Sequence, residues 1–193
     1  MKRAQQRYGS RERNLELEKT ARDERTQVTP ALAEWLAARN SFFLATASAD
    51  GRPYVQHRGG PPGFIVTLDP RHLGWADFGG NKQYITIGNL SENDRALIFA
   101  IDHAARRRIK IWGRAEVVED PALLRRVTPE RPAELPTRAF RFAVEAWDVN
   151  CPSHIPQLFT AEAVEAGAAA MLARIEALEA EVARLRTAAG RHR

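Results

Sequence analysis

A single cysteine, Cys151, in 193 residues leaves no partner for an internal disulfide and too few thiolates for a cysteine-based zinc site. No apolar run approaches the roughly 18–20 residues needed to cross a bilayer. The opening residues, MKRAQQRYGSRERNLELEK, contain no apolar stretch of the kind a secretory leader needs. Five scattered histidines show no metal-ligand spacing, so no metal site is expected. Together these absences favour the cytoplasm and argue against a membrane partner.

What is present suits a globular domain with a real core: 44% hydrophobic and 27% charged residues. Lys and Arg number 29 against 24 Asp and Glu, a net charge of +5. Such an excess suits nucleic acid or phosphate-bearing small molecules. Residues 1–26 hold eight basic and five acidic side chains in alternating clusters, the pattern of a solvated, partly helical arm. No zinc-finger or RNP-type motif accompanies it, which argues against a nucleic-acid role.

After the arm, Thr29-Pro30 reads as a helix cap with proline in the first turn. ALAEWLAARN then places Leu32, Trp35 and Leu36 on one helical face. SFFLATAS and PYVQHR flank an Asp50-Gly51 turn and predict a hairpin. FIVTLD and LGWADF predict a second. GGNKQYITIGN follows, with a helical turn or two expected from about Lys82 to Asn93. RALIFAID and RRRIKIWGRAEVVE predict two more strands. In the second of these Ile109 and Ile111 face one way, and Arg108, Lys110 and Trp112 the other. DPALLRRV predicts a capped helix, and AFRFAVEAWDVN a last strand. Six or seven antiparallel strands with few helices imply a closed or split β-barrel, because an open sheet would leave long edges.

From Thr160 to about Arg186 the pattern is helical. Val164, Ala168, Met171, Ile175, Leu178, Val182 and Leu185 alternate spacings of four and three, the seam of a coiled coil. With Ile175 and Val182 at a positions, Arg174 and Glu181 fall at g, and Glu179 and Arg186 at e. A parallel pair would set Arg174 against Glu179 and Glu181 against Arg186. The stripe suits self-association or packing on the barrel. The expected division is a charged arm over 1–28, a barrel domain over 29–158, and a C-terminal helix with a frayed end over 159–193.

Basic and amide side chains recur at three places: Gln56-His57-Arg58, Asn81-Lys82-Gln83, and Arg106-Arg107-Arg108 with Lys110. Glycines at 59, 60, 79 and 80 let backbone approach a ligand, and free N–H groups at a helix start bind phosphate. On a barrel these places can converge on a phosphate-bearing ligand. Singly, each also suits ordinary surface charge.

The ordered set FFLATASADGRPYVQHRGG, ADFGGNKQYITIGNLSENDRALIF, RRRIKIWGRAEVVED and WDVNCPSHI resembles the pyridoxamine 5'-phosphate oxidase-like FMN-binding split barrels, over about residues 30 to 158. The resemblance implies a six-stranded antiparallel split barrel. It also implies a homodimer holding FMN in grooves between subunits. It puts Gln56, His57, Arg58 and Gly59 along the flavin ring, and Asn81, Lys82, Gln83 and Tyr84 at the phosphate loop. Arg108 and Lys110 match positions that reach the cofactor, often from the other subunit. Trp147, Asn150 and Cys151 sit where a C-terminal segment covers the ring.

Three departures separate the chain from the authentic oxidases. Gln56 stands near a characteristic arginine, and the loop around Lys82 is longer than their Ser-Arg-Lys-Gly run. VNCPSHIPQLF replaces the Trp-rich signature that holds pyridoxal phosphate, so vitamin B6 synthesis is not expected. The implied activity is an FMN-dependent oxidoreductase, moving a hydride or electrons between flavin N5 and a small organic substrate that the sequence does not identify. A non-catalytic flavin or haem sensor, or a deazaflavin-dependent reductase, uses the same barrel.

His57 is the candidate catalytic residue, as a proton donor or acceptor near the flavin, with a purely hydrogen-bonding strand histidine as its rival. Cys151 reads more readily as an apolar filler than as a ring contact. Trp75, Trp112 and Trp147 could stack on an aromatic ligand or serve as core and interface anchors.

Overall fold

The computed structural model describes every residue except 21–23, 131, 133–134, 150–152 and 191–193. Two compact units emerge: residues 1–102 with 106–153, and residues 103–105 with 154–193. The first contains helices α1 (Lys2–Arg7), α2 (Arg11–Thr20) and α3 (Pro30–Ala37), with a 3-10 turn at Glu24–Thr26. Strands β1 (Ser41–Ala47), β2 (Pro53–Gly59), β3 (Val66–Asp69) and β4 (His72–Asp77) follow. Helix α4 (Ile85–Glu92) leads to β5 (Arg95–Asp102) and β6 (Arg107–Val118), and α5 (Pro121–Val127) leads to β7 (Arg138–Val149). The second unit carries α6 (Ala161–Gly190).

Both predicted caps form. Thr29 Oγ1 accepts from the Leu32 N–H at 3.2 Å, and Asp120 accepts from the N–H groups of Ala122 and Leu123. Each satisfies donors that a helix start otherwise leaves bare.

The strands form one antiparallel sheet in the order β2-β1-β5-β6-β7-β4-β3. Seven strands are present where the resemblance implied six. The short β3 takes only VTLD from FIVTLD; Phe64 and Ile65 leave the ladder and turn into the core. One face of the sheet is apolar at every second residue, as a half-buried strand requires. Phe42, Leu44, Leu73, Trp75, Ile98, Ile109, Ile111, Phe140 and Phe142 meet there. Trp75 stacks on Phe140 at 5.3 Å and meets Phe42 edge-on at 5.0 Å. Full burial of each such side chain stabilises by about 1.5–3 kcal/mol.

At the middle of β6 the register with β7 shifts between Trp112 and Gly113. A Cβ on Gly113 would lie 2.0 Å from the Ala143 carbonyl oxygen and 2.6 Å from the Phe142 ring. Only glycine fits where the two backbones press this closely.

The end of the arm packs on β7. The Trp147 indole N–H donates to the Gln27 carbonyl at 2.8 Å, and Arg25 pairs with Asp148 while covering the Trp147 ring at 5.8 Å. Val28 is buried, with its N–H bonded to the Pro70 carbonyl.

Candidate functional site

Strand β2 alternates. Tyr54, Gln56 and Arg58 oppose Thr46, Leu44 and Phe42 of β1, so they share the inner face with the core. Beside them, the end of β4 and the loop into α4 enclose a cleft of about 330 Å³. Its floor includes Phe64 and Trp75, and its rim runs through Gly79, Gly80, Asn81, Lys82, Gln83 and Tyr84.

Arg58 reaches across the cleft. Its Nη1 donates to Asp77 Oδ1 at 2.9 Å, and its guanidinium lies 4.6 Å over the Phe140 ring. Asp77 is directly opposite Arg138 in the β4–β7 ladder, and Arg138 Nε donates to its other oxygen at 3.2 Å. The buried carboxylate thus serves two guanidinium groups. Burial works against the charge of Arg138, but hydrogen bonds to Tyr84 and Asp77 outweigh it and hold the group above its ordinary value. The Arg138 guanidinium also lies 5.1 Å from the Tyr84 ring centre.

Two buried donors bordering this space, Arg58 Nε and Trp75 Nε1, have no hydrogen-bond partner. Both atoms are closed off from solvent, and such a group costs about 1–3 kcal/mol while it goes unmatched.

The loop has an unusual backbone. Gly80, Lys82 and Tyr84 all have positive φ, at 49°, 57° and 55°. The Lys82 N–H bonds the Gly79 carbonyl at 3.2 Å, so this donor is used within the loop. Asn81 Oδ1 takes the Gln83 N–H at 3.2 Å. Tyr84 caps α4 without a side-chain hydrogen bond, so the first N–H groups of the helix remain to meet an anion. The sequence-based expectation of helix from Lys82 is corrected here: the left-handed residues delay it to Ile85.

Hydrogen bonds fix α4 on the sheet. Thr86 Oγ1 lies 2.7 Å from Gln56 Oε1, Asn89 donates to Thr46 Oγ1 at 3.0 Å, and Asn93 donates to the Ala47 carbonyl at 3.2 Å. The first leaves the Gln56 amide nitrogen to donate elsewhere.

Eight of the predicted site residues therefore border one cleft: Gln56, His57, Arg58, Gly59, Asn81, Lys82, Gln83 and Tyr84. The His57 ring, however, lies on the opposite face of β2, edge-on to Phe43 at 5.7 Å. Arg108 and Lys110 do not border the cleft of their own chain; the β-sheet register puts them on that same outer face. Trp147 is likewise elsewhere, bonded to Gln27. Asn150 and Cys151 lie outside the described residues. Asp77, Arg138 and Thr86 were not singled out from the sequence. Their signal is strand register and helix docking, which residue type alone does not carry.

Residues 28–151 match the family model for pyridoxamine 5'-phosphate oxidase. The chain belongs to this family. No curated protein sequence gives a significant match. Among solved structures, HupZ from Group A Streptococcus is similar with a TM-score of 0.53 and 15% identity, over 68% of this chain and 99% of that one. A putative pyridoxamine 5'-phosphate oxidase from Lactobacillus delbrueckii gives 0.48 and 24%, over 64% and 94%. An FMN-binding protein from Syntrophomonas wolfei gives 0.49 and 16%, over 72% and 94%. The sheet described above is the split barrel of the pyridoxamine oxidase-like family, with flanking helices and the long α6 added.

Proposed function

We propose that the cleft holds FMN and that the protein is an FMN-dependent oxidoreductase acting on a small organic substrate. The observation carrying this reading is the loop of alternating left-handed residues, with Lys82 on it and the uncapped start of α4 behind it. Backbone N–H groups and a cation at one place suit a dianionic phosphate. FMN and deazaflavin cofactors both meet that description in part. A phosphate on a single ring system fits a cleft of about 330 Å³, and the FMN-binding relative supports the first of them.

When bound, the cofactor supplies hydride or electron transfer at N5. The chain's own residues bind and orient. Lys82 and the first N–H groups of α4 would hold the phosphate. Arg58, kept in place by Asp77, would set its guanidinium beside the ring. Gln56, held by Thr86, would offer its amide beside it. Phe64 and Trp75 would keep water from the floor. His57 is not assigned a proton-transfer role here, because its ring faces away from Gln56 and Arg58.

The reading includes a homodimer. The outer face of β2-β1-β5-β6 exposes Val55, Phe43 and Trp112 around His57, with Lys110 Nζ 5.1 Å from the Trp112 ring. A second copy would cover this apolar surface, and Arg108 and Lys110 would then reach the cofactor from the neighbouring subunit.

The test compares FMN with riboflavin, which has the same ring and no phosphate. Tight retention of FMN, with riboflavin held far more weakly, is expected from equilibrium dialysis and absorption spectra. Equal binding of the two would remove the phosphate assignment, and binding of neither would remove the flavin. Yellow protein that fails to bleach with dithionite and regain colour in air would favour a binding protein without turnover.

A further inference from the structure

Helix α6 presents an apolar seam that is exposed along its described length. Every residue from Pro156 to Arg186 is exposed, including Ile175 at 51%, Leu178 at 42% and Val182 at 44%. Thirty residues of helix span about 45 Å. The alanines that fill much of its remaining surface favour helix, yet an isolated helix in water is only marginally stable unless an apolar face is packed. Seven apolar residues in a row along one side, all wet, are what a missing partner leaves behind.

We propose that the partner is α6 of a second copy, in a parallel two-stranded coiled coil. Three features of the chain select that occupant. First, the seam is a strict alternation of four and three, with Ala168, Ile175 and Val182 at a and Val164, Met171, Leu178 and Leu185 at d. A globular docking face would be broader and less regular. Second, the central a positions are β-branched and the matching d positions are leucine, the choice that favours two parallel strands over three or four. Third, the flanking charges are self-complementary. In a parallel, in-register pair Arg174 of each helix meets Glu179 of the other, and Glu181 meets Arg186, giving opposite signs at both of these contacts. An unrelated partner would need no such internal match. The inference stands apart from whatever the cleft holds, because it uses none of the residues there.

Disulfide trapping in the full chain reads both partner and orientation. Cysteine is placed singly at Met171, Leu185 and, on the outer side of the helix, Ala180. The parent, with its one Cys151, sets the background. Under mild oxidation Met171→Cys and Leu185→Cys should each yield a species of doubled mass on a non-reducing gel, while Ala180→Cys should match the parent. Adding Glu181→Lys to Leu185→Cys should reduce that yield by setting Lys against Arg186, and a further Arg186→Glu should restore it. Parent-level yield at both seam positions would overturn the proposal. So would cross-linking found only when Leu185→Cys is mixed with Ala168→Cys, since that places the two helices head to tail. Circular dichroism of each variant, showing an intact helix, excludes a trivial loss through unfolding.

Discussion

Lys82 combines two properties that normally conflict. It carries the cation at the rim of the cleft, and it adopts a left-handed backbone that costs an ordinary residue about 1–2 kcal/mol. Lys82→Gly separates them. Glycine removes that strain but gains roughly 0.5–1 kcal/mol of unfolding entropy, so the urea midpoint should hardly move. Loss of a charged hydrogen bond worth about 1.5–3 kcal/mol should weaken FMN binding about tenfold to a hundredfold in a fluorescence titration. Unchanged affinity would shift the phosphate away from this residue. The place of Lys82 beside the cleft was legible from the sequence, because it stands between glycines and a helix start. Asp77 and Arg138 were not, since neither has a special neighbour in the chain; they meet only because β4 and β7 set them opposite each other. The face of His57 was legible in principle. It follows Gln56 and precedes Arg58 on one strand, so period-two alternation turns it away from both.

At the scale of elements, α4 determines where the loop of residues 79–84 stands. It is tied to β1 by Asn89 and Asn93 and to β2 by Thr86. Thr86 is buried, and its bond to Gln56 joins the helix start to the strand that carries Arg58. Thr86→Val keeps the shape and removes that bond. It should lower stability by about 1 kcal/mol and weaken FMN binding measurably, while Ser91, exposed on the same helix, should tolerate alanine with no effect on binding. Loss of stability with undiminished flavin affinity would separate Gln56 from the cofactor. The order of strands and both capped helices could be read from turns, caps and alternation. The start of α4 could not, because lysine and tyrosine in left-handed conformations leave no mark in composition.

At the scale of the molecule, two surfaces invite a second copy: the outer face of the sheet and the seam of α6. They can be told apart. A chain ending after Phe159 lacks α6 but keeps His103 Nδ1 near the Pro156 carbonyl and Gln157 bonded to the Ala104 carbonyl. Sedimentation should find it dimeric and still able to hold FMN. A truncated monomer that binds FMN as tightly as the full chain would contradict a cofactor shared between subunits. The barrel's general course was readable from the sequence; the partners of its outer residues depend on which strands lie side by side, and on a second molecule.

The pairing order has one more result. β2 and β3 end the sheet, and among the described residues neither extends its ladder to the other, yet Arg58 on β2 grips Asp77 on β4. The barrel is fastened there by a charged clasp rather than by main-chain bonds. A clasp of that kind closes the wall beside the cleft without knitting the two outermost strands into one ladder.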